Sequence, residues 1–216
     1  MKDFPSLPPQ VSTAALTDAL GRLSTDRVHV LDLVTPTPGR LLRGEAVTMR
    51  FVPFRKDLHD AQVNNFARLF YEAVGDDPTG LVLVLDSGGQ PHVSVGGGMK
   101  LSRLHNHQLA GLLTEGRLRD FGELKDYDPV FYCGGETVKA GTADLIPVAA
   151  NVPVVIGGVT VLPGDFVYAD AAGAVIIPSA LVDEAFRLAI TIEHEEATTL
   201  KRISAEEQGA KRAGGH

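Results

Sequence analysis

The chain reads as alternating blocks of helical and strand periodicity. In "STAALTDALGRL", Ala15, Leu16, Ala19, Leu20 and Leu23 recur at helical spacing, with Ser12 or Thr13 placed to cap the first turn. After breaks at Pro36, Pro38 and Gly39, "GEAVTMRFVPF" is rich in strand formers, so one strand is expected to end near Val34 and another to cover Ala46 to Phe51. "NNFARLFYEAVG" is an amphipathic helix with Phe66, Leu69, Phe70 and Ala73 on one face and Gly75 as its stop. "GLVLVLDSGG" is a continuous apolar run between glycines, the pattern of a strand buried on both faces.

A second helix-then-strand unit follows in "GMKLSRLHNHQLAGLLTEG", and short strands separated by Gly and Pro turns fill the region after residue 128. Beyond Pro178, with Ser179 as a cap, Leu181, Phe186, Leu188, Ala189 and Ile192 mark one long C-terminal helix whose later turns are polar. Helices leading into buried strands make this an α/β protein. A single domain is expected over residues 11–205, with an N-terminal extension at 1–10 and a frayed tail at 206–216.

Composition narrows the function. The formal net charge of −7 leaves no long surface for tracking phosphates, so direct nucleic-acid binding is not expected. Cys133 is the sole cysteine, which excludes an internal disulfide and any thiolate metal cluster within one chain. "MKDFPSLPPQ" lacks the apolar core of a signal peptide, and no run is long enough to span a bilayer, so a cytoplasmic location is expected.

Two stretches carry candidate chemistry. "VSVGGGMKLSRL" runs three glycines into a helix start, where free N–H groups can hold a carboxylate or phosphate; a flexible turn is the plainer alternative. "GLLTEGRLRD" puts Arg119 and Asp120 just past an apolar strand, where α/β folds place ligands. Arginine forks onto carboxylates and aspartate holds Mg²⁺ or Mn²⁺, although a surface ion pair would leave the same trace. The histidines of "HNH" at 105–107 point apart on a helix and read as surface groups; "EHEE" at 193–196 lacks a second histidine and reads as a solvated face. Cys133 reads as a small buried apolar residue.

In this order, "STAALTDALGRL", "RGEAVTMRF", "LVLVLDSGG", the glycine loop, "GLLTEGRLRD", "DPVFYCGG" and "NVPVVIGGVTVLPGDFVYADAAGAVIIP" resemble the RraA-like proteins. That family includes 4-hydroxy-4-methyl-2-oxoglutarate/4-carboxy-4-hydroxy-2-oxoadipate aldolases and regulators of ribonuclease activity. The resemblance implies a swivelling β/β/α-type fold in trimers or dimers of trimers, with active sites between subunits. It implies that Arg119 binds pyruvate and steadies its enolate, and that Asp120 anchors Mg²⁺ or Mn²⁺ largely through waters. The main chain of Gly97, Gly98, Met99 and Lys100 would hold the pyruvate carboxylate, and Glu196 or Glu193 of a neighbouring subunit would complete the catalytic and metal site.

Three departures from the family pattern stand out: Gly98 where active aldolases carry an acid, Glu115 where Asp is usual, and Cys133 where Arg is frequent. The expected function is a metal-dependent lyase forming pyruvate enolate from a small 2-oxo acid, by oxaloacetate decarboxylation or retro-aldol cleavage. The alternative is a non-catalytic regulator that binds a ribonuclease or another protein partner.

Overall fold

A computed structural model describes the backbone of residues 8–213 and the side chains as far as residue 206. Helix α1 (Thr13–Leu23) starts where Ser12 accepts a hydrogen bond from the Ala15 N–H at 3.1 Å, satisfying one of the free donors of the first turn. The strand expected before Val34 is shorter, β1 (His29–Val30), and Val34 makes an isolated bridge with Cys133. The next is longer than its apolar core suggested, β2 (Leu42–Pro53). Helix α2 (Phe66–Val74) is capped by Asn65 and stopped by Gly75 at φ +62°. Then come β3 (Val82–Asp86), β4 (Ser94–Gly96), α3 (Gly98–Asn106), β5 (Gly111–Thr114), β6 (Arg117–Leu118) and α4 (Phe121–Leu124). The second half adds β7 (Val130–Tyr132), β8 (Leu145–Ala150), β9 (Val154–Ile156), β10 (Val159–Val161), β11 (Phe166–Asp170) and β12 (Gly173–Ile177). Helix α5 (Val182–Ala213) closes the order, so the backbone stays helical beyond residue 206, where a frayed tail was expected; residues 214–216 and 1–7 lie outside the described residues.

Among the described residues the main sheet runs β1-β12-β11-β2-β3-β5-β7, with β8 also on β2. Strands β2, β3, β5 and β7 are parallel; β11, β12, β1 and β8 join antiparallel. Alternation along the parallel strands explains the layers. Leu83, Leu85, Leu112 and Phe131 face a core shared with α2 and α3, while Val82, Val84, Leu113 and Tyr132 face the β9–β10 hairpin. A third core joins α1 and the start of α5 to β11 and β12. The result is the mixed α/β, single-domain architecture with a long C-terminal helix that the sequence implies.

Gly111 shows how tightly β5 lies on β7. A Cβ there would fall on the Val130 carbonyl oxygen, its partner in the ladder. Gly21, exposed on α1, has nothing within 4 Å of its Cβ position. The same change should therefore act in opposite directions: Gly111→Ala should cost about 1–3 kcal/mol by overpacking, whereas Gly21→Ala should gain about 0.4–1 kcal/mol. Urea unfolding of both variants checks this.

Candidate active site

Strand β5 ends for a local reason. The Thr114 hydroxyl donates to the Leu85 carbonyl oxygen at 2.7 Å and accepts from the Gly116 N–H at 3.0 Å, turning the chain out of the sheet. Arg119 and Asp120 were expected at the end of that strand. Instead they follow β6, which pairs in parallel with β4 in a separate two-stranded sheet. Gly116 lies in the bend that follows, where a Cβ would lie 2.9 Å from Ser87 Cβ and 3.1 Å from Val95 Cγ1.

The β4–β6 pairing brings the glycine loop to the Arg-Asp pair. The Arg119 N–H donates to the Gly96 carbonyl oxygen at 2.9 Å, and the Gly98 N–H donates to Asp120 Oδ2 at 3.0 Å. Asp120 adopts left-handed backbone geometry, φ 65° and ψ 41°, which Asp and Asn tolerate better than most residues. Arg119 Nε is 4.0 Å from Asp120 Oδ1, and both side chains are about 40% exposed. Gly97, Met99, Lys100, Arg119 and Asp120 line one cavity of about 210 Å³. Gly97, the N-cap of α3, has no side chain to make a cap bond, and with the Gly98 N–H taken by Asp120 it is the Met99 and Lys100 N–H groups of the first turn that remain available to an anion.

The expected residues divide into two groups. Gly97, Gly98, Met99, Lys100, Arg119 and Asp120 come together. Glu193 and Glu196 stand on α5 and line no part of that cavity; within its own chain Glu193 accepts the Ser12 N–H at 2.7 Å, while Glu196 is exposed. Among the described residues, no three His, Cys, Asp or Glu side chains gather as a metal site. A half-exposed single carboxylate such as Asp120 suits a hard divalent ion that keeps most of its water shell, so the donor set fits Mg²⁺ or Mn²⁺ without requiring either.

Sequence reasoning missed three neighbours, Glu136, Glu123 and Tyr127. Glu136 shares a second opening with Arg119 and Asp120, and its Oε1 accepts the Phe121 N–H at 3.0 Å. The space that a side chain at Gly98 would fill holds the Glu123 carboxylate, which accepts a hydrogen bond from the Tyr127 hydroxyl. That bond pushes the phenol up to about 12. Lys100 contributes its side chain as well as its backbone: Nζ lies 5.3 Å from the Phe66 ring centre, and burial first, then Arg119 and Arg103, push the amine down. The signal for Glu136 was its place four residues beyond β7 in "CGGET"; nothing local marked Glu123 or Tyr127.

The histidines are separate, with His105 3.3 Å from Asp128 and His107 against Phe70 and Tyr71. Cys133 is fully buried, and burial raises its thiol to about 11.

The comparisons agree with this fold. The family model RraA-like, "Aldolase/RraA", matches residues 13–176, and the chain belongs to that family. The Legionella pneumophila "Protein DlpA" is 24% identical over 86% of this chain, which spans 29% of that protein's length. A Pseudomonas aeruginosa protein named "Putative 4-hydroxy-4-methyl-2-oxoglutarate aldolase" is 35% identical over 52% of this chain and 69% of its own. Streptomyces coelicolor RraAS2, described as an unusual member of the RNase ES inhibitor RraA protein family, superposes with a TM-score of 0.78 at 28% identity. The match covers 89% of this chain and 93% of that one. Among the described residues no helix is long and apolar enough to cross a membrane.

Glu115 is partly buried at the turn that follows β5. Its Oε1 accepts from the Ser87 N–H and hydroxyl at 2.8 and 2.6 Å, but Oε2 is buried without a partner. Burial raises its carboxyl above the usual carboxylate range, outweighing the Ser87 bonds. A raised folded-state value means that the neutral form is favoured in the fold. Its stabilisation is full below the unfolded value near 4.5 and is lost as pH rises through the folded value. The stability of the wild type relative to Glu115→Gln should therefore fall as pH rises through that window, measured by thermal unfolding of both proteins from pH 4 upward; a pH-independent difference would show that folding does not shift the Glu115 carboxyl.

Proposed function

We propose that the chain is a divalent-metal-dependent lyase that generates pyruvate enolate from a small 2-oxo acid. The observation that supports this reading is the convergence of the Arg119 guanidinium, the Asp120 carboxylate and the open N-terminus of α3 on one cavity. The relative named as an aldolase lends weight to the chemistry.

The C1 carboxylate of the substrate seats on the N–H groups of the Gly97–Lys100 turn, and Arg119 faces the C2 oxygen. In oxaloacetate decarboxylation the C3–C4 electron pair moves into the C2 carbonyl, CO₂ leaves, and the enolate takes a proton at C3 to give pyruvate. Arg119 stabilises the charge that grows on the C2 oxygen, and does so most in the transition state because it is already in place. A divalent ion held by Asp120 would add Lewis-acid stabilisation of the same oxygen. Retro-aldol cleavage also needs a base for the C4 hydroxyl proton, and residue 98 brings no carboxylate. Oxaloacetate decarboxylation is accordingly expected, with weak or absent cleavage of 4-hydroxy-4-methyl-2-oxoglutarate.

Asp120→Asn isolates the charge, because Asn tolerates the same left-handed backbone and can still accept the Gly98 N–H. Metal-dependent turnover should fall by roughly 10²-fold or more, the scale of losing one preorganised electrostatic group, with the melting temperature nearly unchanged. Arg119→Lys keeps the charge but loses the planar fork, and should lower kcat and raise KM together. Wild-type turnover in Asp120→Asn would remove the pair from the mechanism. A surface ion pair, worth about 0–1 kcal/mol, would behave in that way.

The site is open in a single chain. Met99 is 86% exposed and Val138 96% exposed at its rim, an apolar edge that a second subunit would cover. A homotrimer, or a dimer of trimers, would bring a neighbour's α5 over the cavity. Exposed Glu196 is then the freer of the two candidate carboxylates, since Glu193 is engaged by Ser12. Light scattering at micromolar concentration should give a trimer or hexamer mass, and a monomer would sink the shared site.

The regulator reading draws on the description of RraAS2. Pyruvate or oxalate with Mg²⁺ should raise the melting temperature of a lyase, because a ligand that binds the native state stabilises it. No shift at millimolar ligand would favour the regulator.

A further inference from the structure

Helices α1, α2 and α4 each follow a residue whose side chain is able to cap them, and only at α4 does it make no cap bond. Ser12 accepts the Ala15 N–H ahead of α1, and Asn65 accepts the Ala67 and Arg68 N–H groups ahead of α2. Both residues hold extended backbone geometry, as capping residues ordinarily do. Asp120 stands in the same place ahead of α4, but its backbone is left-handed and its side chain leaves the helix uncapped. Oδ2 accepts the Gly98 N–H at 3.0 Å instead.

Another residue takes the donor that Asp120 leaves. Glu136 Oε1 accepts the Phe121 N–H, the first of α4, at 3.0 Å. The Glu123 and Leu124 N–H groups reach the Asp120 carbonyl oxygen, both at 2.9 Å. Backbone pairing holds Glu136 in place. The Leu118 N–H donates to the Gly135 carbonyl oxygen and the Thr137 N–H to the Leu118 carbonyl oxygen, both at 3.0 Å, so residues 135–137 lie along the edge of β6 opposite β4. Arg117 Nη1 adds a bond to the Glu136 carbonyl oxygen at 3.1 Å.

A left-handed residue other than glycine persists only where its surroundings hold it in that state. The Phe121 N–H belongs to the peptide that follows Asp120, so its direction is set by the ψ angle of Asp120. Fastening that N–H to Glu136 fixes the angle, while the Gly98 N–H fixes the carboxylate.

We propose that Glu136 is a positioning residue for Asp120: it caps α4 in place of Asp120, and so keeps the Asp120 carboxylate turned to the glycine loop and free for a divalent ion. Only the reference to the ion rests on the lyase reading.

Hydrogen exchange at the Gly98 amide, followed by NMR in the metal-free protein, tests this role, because Gly98 is bonded to Asp120 and not to Glu136. Glu136→Ala should speed that exchange by about tenfold, the scale of one hydrogen bond's net contribution. Glu136→Gln keeps an acceptor of the same reach without the charge, and should recover most of the protection. Glu136→Asp keeps the charge but falls a methylene short of the Phe121 N–H, and should exchange as Glu136→Ala does. Melting temperatures confirm that each variant is folded; if Glu136→Ala is not, the Gln and Asp variants decide. Wild-type protection in Glu136→Ala, or exchange in Glu136→Gln no slower than in the Ala or Asp variant, overturns the role.

Mn²⁺ binding, read from the electron paramagnetic resonance of the free ion, tests the link to the metal. Glu136→Ala should bind Mn²⁺ about tenfold more weakly than the wild type, the scale of losing an outer-shell partner, and Glu136→Gln should recover most of the affinity. Equal affinity in the wild type and Glu136→Ala, with binding lost in Asp120→Asn, overturns that link. Equal binding in the wild type and Asp120→Asn, or none in either, sinks the metal part of the lyase reading, and the Gly98 exchange still decides whether Glu136 positions Asp120.

Discussion

The site depends on two backbone donors meeting across a short parallel pairing. The Arg119 N–H on the Gly96 carbonyl oxygen fixes β6 against β4, and the Gly98 N–H on Asp120 Oδ2 ties the start of α3 to the next turn of chain. A side chain at Gly97 would come within 3.0 Å of Arg119 Cβ and still closer to Asp120 Oδ2, so this approach is open only to glycine. The left-handed geometry of Asp120 is part of the same arrangement: it reverses the chain so that the carboxylate faces back to the loop. Glycines and an aspartate in an uncommon conformation thus perform one task, which is to place a negative group, a guanidinium and a free helix N-terminus around a single space.

Much of the framework was legible because it obeys periodicities that a chain displays openly. Ser12 ahead of an apolar helical face, Asn65 ahead of another, Gly75 after it, and the uninterrupted apolar run of β3 each fixed an element by a local rule. The Arg119–Asp120 pair and the glycine loop were legible as residue types, and their order along the chain carried the family resemblance. Their geometry was not. Strands β4 and β6 are three and two residues long, too short for any alternation to show, and their pairing is settled by contacts 23 residues apart, Ser94 with Arg117. The assignment of Arg119 to the end of β5 failed for that reason. The crowding at Gly116 was hidden for a related one, because nothing near it in sequence reveals that Ser87 and Val95 occupy the space a side chain there would need.

Charge follows the same division. The carboxylate of Glu123 fills the space beside Gly98, a relation between residues 25 apart that only the packing of α4 against α3 creates. Glu115 is identifiable as an acid in sequence, but its burial beneath the β5 turn, with one oxygen unpartnered, is a tertiary fact. Lys100 looked like one more residue of a helix start. The fold makes it the common wall of two cavities and sets it between two arginines.

These placements bear on which reaction the site favours. Stabilising an enolate requires positive charge fixed near one oxygen, and Arg119 beside an open helix N-terminus provides that before any substrate arrives. Moving a hydroxyl proton requires instead a base at a second position. Glycine at residue 98 supplies no base, and the carboxylate that occupies the space of a side chain there, Glu123, already accepts the Tyr127 proton in a hydrogen bond. An acceptor engaged in that way must exchange one hydrogen bond for another before it can take a substrate proton, which adds to the barrier. In the proposed pose decarboxylation would avoid this step, since the departing CO₂ carries no proton and the electron pair it leaves would pass to the C2 oxygen set against Arg119. On the proposed lyase reading, the absence of a carboxylate at residue 98 would therefore weigh against aldol cleavage, while Arg119 would serve the enolate common to both reactions.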